Sequence, residues 1–204
     1  TALETGFGAD AREALRMRER ALFPRMTRLV ATSPLTAQRL AEEFAVDPAR
    51  IGVVEPGTEP ARRATGSGGP GVTILSVGRA VPKKGYDILL KALARLPADL
   101  HWRFDHIGAG PETAPMKALA AELGIGERLR WQGALDQKDV LSAYRQSDLF
   151  ALACRITADG DRDGLPNVLV EASSQNLPCI STAISGVPEL ITDNENGLLV
   201  PPED

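Results

Sequence analysis

Short apolar runs alternate with amphipathic stretches along most of this chain, and the alternation sets the expected architecture before any chemistry is considered. From residue 72 onward the pattern predicts strands at Val72–Val77, Trp102–Ile107, Leu129–Gln132, Leu149–Ala153, Cys179–Ser181 and Leu198–Val200. Between them, helical spacing predicts Tyr86–Arg95, Pro111–Leu123, Lys138–Arg145, a helix starting at Asn167 and a short one over Val187–Ile191. Strands separated by helices imply an α/β domain: a doubly wound parallel sheet, Rossmann-like, covered on both faces. Ligands of such sheets bind beyond the carboxyl ends of the strands, where Gly78, Gly108, Gly133, Gly164 and Gly186 all fall.

Upstream, the pattern predicts a charged helix over Ala9–Phe23, a strand over Arg28–Ser33, a helix from Pro34 to about Ala45 and a strand over Arg50–Val54. This is a β-α-β ending, expected to be the tail of a separate domain. Residues 61–71 combine Arg62-Arg63 with Thr65-Gly-Ser-Gly-Gly-Pro-Gly71 and lack an apolar period, the composition of a flexible connection. The expected organisation is therefore 1–60 as the end of one Rossmann-like domain, 61–71 as linker and 72–204 as a second domain.

Composition narrows the function classes. With 204 residues, 43% hydrophobic and 25% charged, the chain suits a globular protein and not a disordered one. No apolar run approaches the roughly 20 residues needed to span a bilayer, and no signal or transit sequence is visible. A net charge of −4 argues against a nucleic-acid partner. Cys154 and Cys179 lie in apolar runs without metal spacing, so both are expected to be buried thiols in a reducing cytoplasm. His101 and His106 have no partners at ligand spacing and are read as structural or surface residues. Asp159-Gly160-Asp161-Arg162 carries an Asp-x-Asp, which by itself suits either a flexible loop or a metal site.

Two stretches carry the candidate chemistry. In Asp163-Gly164-Leu165-Pro166-Asn167-Val168-Leu169-Val170-Glu171, two carboxylates bracket a loop that enters a helix. Pro166 suits the first helical turn, Gly164 permits close backbone approach, and the first amides of the helix are open to an anion at the positive end of its dipole. Glu171, one turn on, is placed to accept from ribose hydroxyls, and Asp163 stands before the helix. In Gly78-Arg79-Ala-Val-Pro-Lys83-Lys84-Gly85, two cations, Arg79 and Lys84, sit on the loop after the first strand of the second domain.

The first stretch resembles the E-x7-E signature of retaining glycosyltransferases of the GT-B type, family 4, with Asp163 one methylene shorter than the family's usual Glu. The second resembles the family's V-G-R followed by K-G. Ile107-Gly108-Ala-Gly110-Pro resembles its I-G-x-G-P turn, and Leu129-Arg130-Trp131-Gln132-Gly133 resembles its R-V-x-F-x-G strand, with Trp131 read as packing. Ser185-Gly186-Val187-Pro188-Glu189 resembles G-G-x-P-E, and Asn196-Gly197-Leu-Leu-Val200 the closing N-G-L-L-V run. Asn176 stands where the family commonly has Gly, and Asn tolerates left-handed geometry.

The resemblance implies a donor-binding domain truncated before its last helices and, upstream of it, the end of the acceptor domain. Arg79, Lys84 and Asp163 would be catalytic, the cations holding a departing diphosphate and Asp163 orienting the sugar. Gly78, Gly164, Leu165, Pro166, Asn167, Val168, Glu171 and Arg130 would bind the donor. No cofactor or metal is implied, so residues 159–162 are read as a flexible loop. The substrate would be a UDP- or GDP-sugar, and the acceptor a growing polysaccharide or lipid-linked glycan. The implied setting is the cytoplasm, including peripheral association with the inner face of the membrane through the acceptor domain. A nucleotide-sugar-binding module without turnover and a nucleotide-sugar epimerase of similar architecture are the alternatives.

Overall fold

The computed structural model describes residues 9–203, so the first eight residues of the expected upstream segment lie outside the described residues. Two parallel sheets organise the chain. The smaller pairs β1 (Leu29–Ala31) with β2 (Ile51–Val53). Around it lie α1 (Ala9–Leu22) and α2 (Pro34–Phe44), with Ala31, Leu40, Phe44 and Val46 buried between them. Ser33 caps α2 by accepting the Thr36 amide at 3.1 Å, and Pro34 follows in the first turn, where a missing N–H costs nothing.

The larger sheet has six strands: β3 (Val72–Val77), β4 (Trp102–Ile107), β5 (Leu129–Gly133), β6 (Leu149–Leu152), β7 (Cys179–Thr182) and β8 (Gly197–Val200). They are ordered β5-β4-β3-β6-β7-β8, every pairing parallel. The connecting helices are α3 (Tyr86–Leu93), α4 (Thr113–Glu122), α5 (Gln137–Arg145), α6 (Asn167–Ser174) and α7 (Val187–Leu190). A single buried cluster runs through the sheet, from Leu75, Leu90 and Phe104 to Phe150, Leu169 and Val187. The chain runs outward from β3 to β5, then returns to place β6 beside β3 and runs outward on the other side. The loops that follow β3 and β6 therefore part in opposite directions and leave a crevice, the topological switch point of an open α/β sheet.

The predicted elements are present, with ends displaced by at most two residues. One expectation needs correction. The connecting segment is not loose: Ala64 donates to the Gln175 carbonyl at 2.6 Å, Thr65 to Arg145 at 2.8 Å, and Ser67 to the Asp148 carboxylate at 2.9 Å. Glycine and serine supplied turns there, and the backbone groups found partners at the ends of α5 and α6 and just before β6. Left-handed geometry is also met by non-glycine residues. Asn176 has φ 57°, as its side chain allows, and Ser185 has φ 49° where the resembling motif carries Gly.

Candidate functional site

The loops at the carboxyl ends of β3, β4 and β5 are stitched backbone to backbone. Gly78 donates to the Ile107 carbonyl at 2.9 Å, Gly108 to Gly133 at 2.7 Å, and Ala80 to Ala109 at 3.1 Å. A Cβ on Gly108 would stand 1.9 Å from the Gly78 oxygen, and one on Gly110 2.3 Å from the Ala80 oxygen. Gly108 and Gly110 are thus required by packing between loops, whatever else binds there.

The cations are carried by the next turn. Pro82–Lys84 forms a 3-10 turn that ends in Gly85 at φ 60°. Here, too, only glycine fits, since a Cβ would lie 1.9 Å from the Ala153 oxygen. That contact presses the turn against the end of β6. Arg155 completes the clasp: its amide donates to the Lys83 carbonyl at 2.9 Å, its Nε to Pro82 at 2.9 Å, and its guanidinium pairs with Asp87 at 3.1 Å. The clasp buries Lys84 to 9% exposure, and a buried ammonium needs a partner. It finds one in Asp163, whose Oδ2 is 2.8 Å from Lys84 Nζ. Lys83 turns to the same loop, 3.0 Å from Asp161 and 3.5 Å from Asp163. Burial works to lower the Lys83 pKa, but the hydrogen bond to Asp161 and the charge of Asp163 outweigh it and hold the group above its ordinary value. Beneath them the Cys154 sulfur lies 3.6 Å from Asp163 Oδ2, and burial pushes that thiol up to about 12 despite the nearby Lys84.

The opposite wall is the start of α6. Pro166 is buried and stands at the N-cap, one position earlier than the sequence suggested, with φ −64° and ψ 120°. No side chain caps this helix, so the amides of Asn167 and Val168, its first two residues, are left to a ligand or solvent. Gly186 donates to the Gly164 carbonyl at 3.0 Å, which holds the loop before α6 against the turn before α7. One turn into α6, Glu171 accepts from the Tyr144 hydroxyl at 3.0 Å.

A cavity of about 310 Å³ opens beside Asp163 and Gly164 and reaches the smaller sheet's helix α2 through Ser33, Thr36 and Arg39. Glu189 crosses its edge, accepting the Leu35 amide at 2.9 Å. Paired cations and carboxylates thus meet at the crevice, just before the uncapped start of α6 in the chain. Such a site can hold a phosphate-type anion on one side and sugar hydroxyls on the other.

Most of the sequence-predicted residues meet here. Asp163 joins Lys84 to the run Gly164–Val168 and so to Glu171. Gly78 lies beneath the Lys84 side chain, whose Cε would be 3.4 Å from a Cβ placed there. Arg79 shares the loop but is exposed and makes no ion pair among the described residues. Arg130 is not brought to the cluster. It pairs in register with Asp105, three residues before the end of β5, and lines a separate polar depression with Thr73, Arg103 and Gln132. Side chains alternate across a strand, so Arg130 faces away from Trp131, which packs on His106 at 5.6 Å. Sequence reasoning missed Lys83 as a participant, Asp161 as its partner, and Arg155 and Tyr144 as supports. The Asp161 loop, read as flexible, is tied by Lys83 and by Thr157, whose amide donates to the Asp161 carbonyl at 3.0 Å.

No helix among the described residues is long and apolar enough to cross a membrane. Compared with known proteins, residues 58–204 match the family described as glycosyl transferases group 1. A D-inositol 3-phosphate glycosyltransferase of Mycobacterium sp. (strain KMS) is 34% identical over 193 residues, covering 87% of this chain and 42% of that protein. The amylovoran biosynthesis glycosyltransferase AmsK of Erwinia amylovora is 34% identical over 133 residues, covering 64% of this chain and 32% of its own length. The chain thus spans less than half of either relative. Among solved structures, HepE of Anabaena in complex with UDP and glucose superposes with a TM-score of 0.78 over 97% of this chain and 55% of its own, at 19% identity, a likeness of fold. With its parallel six-stranded sheet and a match that covers both candidate stretches, the chain belongs to the glycosyl transferases group 1 family.

Proposed function

We propose that the whole protein is a retaining glycosyltransferase of the family 4 type, which moves a hexosyl group from a UDP- or GDP-sugar to a hydroxyl acceptor in polysaccharide or lipid-linked glycan biosynthesis. Residues 72–204 are its donor-binding domain, 61–71 the connection and 1–60 the end of its acceptor domain. Its setting is cytoplasmic. The observation that carries the reading is the 2.8 Å pair between Lys84 and Asp163 at the switch point, which ties the cationic turn to the uncapped start of α6.

In this reading the donor diphosphate lies between Lys84 and the amides of Asn167 and Val168. An ammonium has three donors, so Lys84 serves Asp163 and a phosphate oxygen together. As the bond from anomeric carbon to phosphate oxygen breaks, negative charge grows on the leaving diphosphate, and Lys84, joined by Arg79 from the loop rim, stabilises it. The acceptor hydroxyl forms its bond on the face the diphosphate leaves, and its proton passes to the departing phosphate. Asp163 orients the sugar, and Glu171 holds the ribose. HepE, solved with UDP and glucose, and the polysaccharide role in the name of AmsK support the donor and acceptor classes. Arg130, on the sheet's other face, has no part in this reading.

Calorimetric titration of UDP and GDP tests it. Lys84→Ala should weaken the bound nucleoside diphosphate by roughly a hundredfold or more, the scale of one preorganised donor on a developing charge. Unchanged affinity would remove Lys84 from the site. Product analysis on the full-length protein with a panel of nucleotide sugars should show a new glycosidic bond with the anomeric configuration kept. A free epimer of the sugar, an inverted product or no turnover each speaks against the assignment.

A further inference from the structure

We infer that Tyr144 is a positioning residue for Glu171: its hydroxyl fixes one carboxylate oxygen and leaves the other to a ribose hydroxyl. The inference rests on the reading above and assigns to the ribose end of the same site a residue with no ligand contact of its own. Tyr144 lies on α5, outside the loops that form the crevice, and is fully buried at 0% exposure. Its ring packs against Phe150 of β6, with centroids 5.7 Å apart. Its hydroxyl reaches across to α6, 3.0 Å from Glu171 Oε2 and 3.3 Å from the Val168 carbonyl.

A phenol has one proton to donate, and the two acceptors are unequal. Glu171 is the nearer and carries a charge, so the charge-assisted bond to it is the stronger. Burial, with the Glu171 charge beside it, raises the hydroxyl's pKa far above its ordinary value, so it stays a donor throughout the accessible range. A half-buried glutamate on a helix surface would otherwise sample several rotamers. Held at one oxygen by a ring that cannot turn, it presents the second oxygen in one place, and the freezing entropy is lost in folding instead of in binding. The same hydroxyl touches Val168, whose amide is one of the two uncapped ones, so it registers the carboxylate against the anion end of the helix.

The test separates ribose recognition from packing. Tyr144→Phe keeps the ring and removes the hydroxyl. Binding of UDP, 2′,3′-dideoxyuridine diphosphate and inorganic pyrophosphate would be measured on wild type, Tyr144→Phe, Glu171→Gln and the double variant. The expected result is a five- to tenfold loss for UDP in Tyr144→Phe, with pyrophosphate unchanged and the preference for UDP over the dideoxy form reduced. In the Glu171→Gln background the second substitution should add little, because the two act as one unit. Equal losses for UDP and pyrophosphate, including loss of all binding, would make Tyr144 a packing residue and overturn the inference. Unchanged UDP affinity, or strictly additive losses, would overturn it as well. The two readings fail differently. Wild type that binds neither UDP nor GDP defeats both. UDP binding abolished by Lys84→Ala but indifferent to Tyr144→Phe defeats this one alone.

Discussion

At the carboxyl end of the larger sheet, two adjacent layers of polar side chains are treated in opposite ways. On the rim, Lys83, Lys84, Asp161 and Asp163 pair with one another within 3.5 Å. In the layer below, Ser76, Tyr86, His106 and Cys154 are almost inaccessible, and burial holds the three titratable ones neutral. It raises the Tyr86 hydroxyl, takes the Cys154 thiol up to about 12, and brings His106 down to about 4, with a Gly78 backbone hydrogen bond only partly opposing that last shift. Tyr86 and His106 meet edge to face at 4.6 Å, and His106 Nε2 has no hydrogen-bond partner among the described residues. The layers touch where Cys154 meets Asp163. A neutral, water-poor floor leaves the charges above it weakly screened, so the rim holds strong electrostatics ready for an anionic ligand.

The contrast can be broken at the joint that keeps the rim in place. Gly85→Ala puts a methyl 1.9 Å from the Ala153 oxygen at a left-handed φ, and the turn must leave β6. The expected destabilisation is about 4 kcal/mol or more, read from the urea midpoint at constant m. A shift below about 1 kcal/mol would show that the turn yields without cost and that the clasp is not what buries Lys84.

A second measurement probes the floor through pH. The folded pKa of His106, about 4, lies below its ordinary 6.5, so the unfolded chain binds the proton more readily. Its contribution is complete above pH 6.5 and is lost as pH falls through 6.5 towards 4, by about 3 kcal/mol for a shift of this size. His106→Phe keeps a ring against Tyr86 and Trp131 and should flatten that part of the stability profile. Equal pH slopes in wild type and variant would mean that His106 is not held neutral.

The smallest effect is expected from the cation left outside both layers. Arg79→Ala should change stability by no more than about 0.5 kcal/mol, since the side chain is exposed and unpaired among the described residues. A loss comparable with that of Gly85→Ala would place Arg79 within the packed clasp.

Some of this was open to a reader of the sequence. The switch of apolar period between 2 and about 3.6 locates the β/α units because each element must turn one face to the core, and the glycines at strand ends point to the ligand edge. Lys84, Asp163 and Glu171 stood out because the stretches that carry them resemble family motifs and fall beside turns at strand or helix ends. Arg130 shows the limit of motif reading. It belongs to a matched stretch, yet it sits three residues before the strand end and on the alternate face, and its neighbours are Thr73 and Arg103. Tyr144 showed no sequence signal, because 27 residues separate it from the carboxylate it holds.

By itself the sequence determined local matters: which segments are helix or strand, which turns demand glycine, and which residue types could meet a diphosphate. These follow from short-range sterics and periodicity. Only the tertiary structure decided that β6 lies beside β3, that Gly85 lets its turn close on Ala153, and that the closure buries Lys84 against Asp163. Strand order and burial depend on contacts between distant segments, which no local pattern encodes, and in this chain those contacts select which charges become a site.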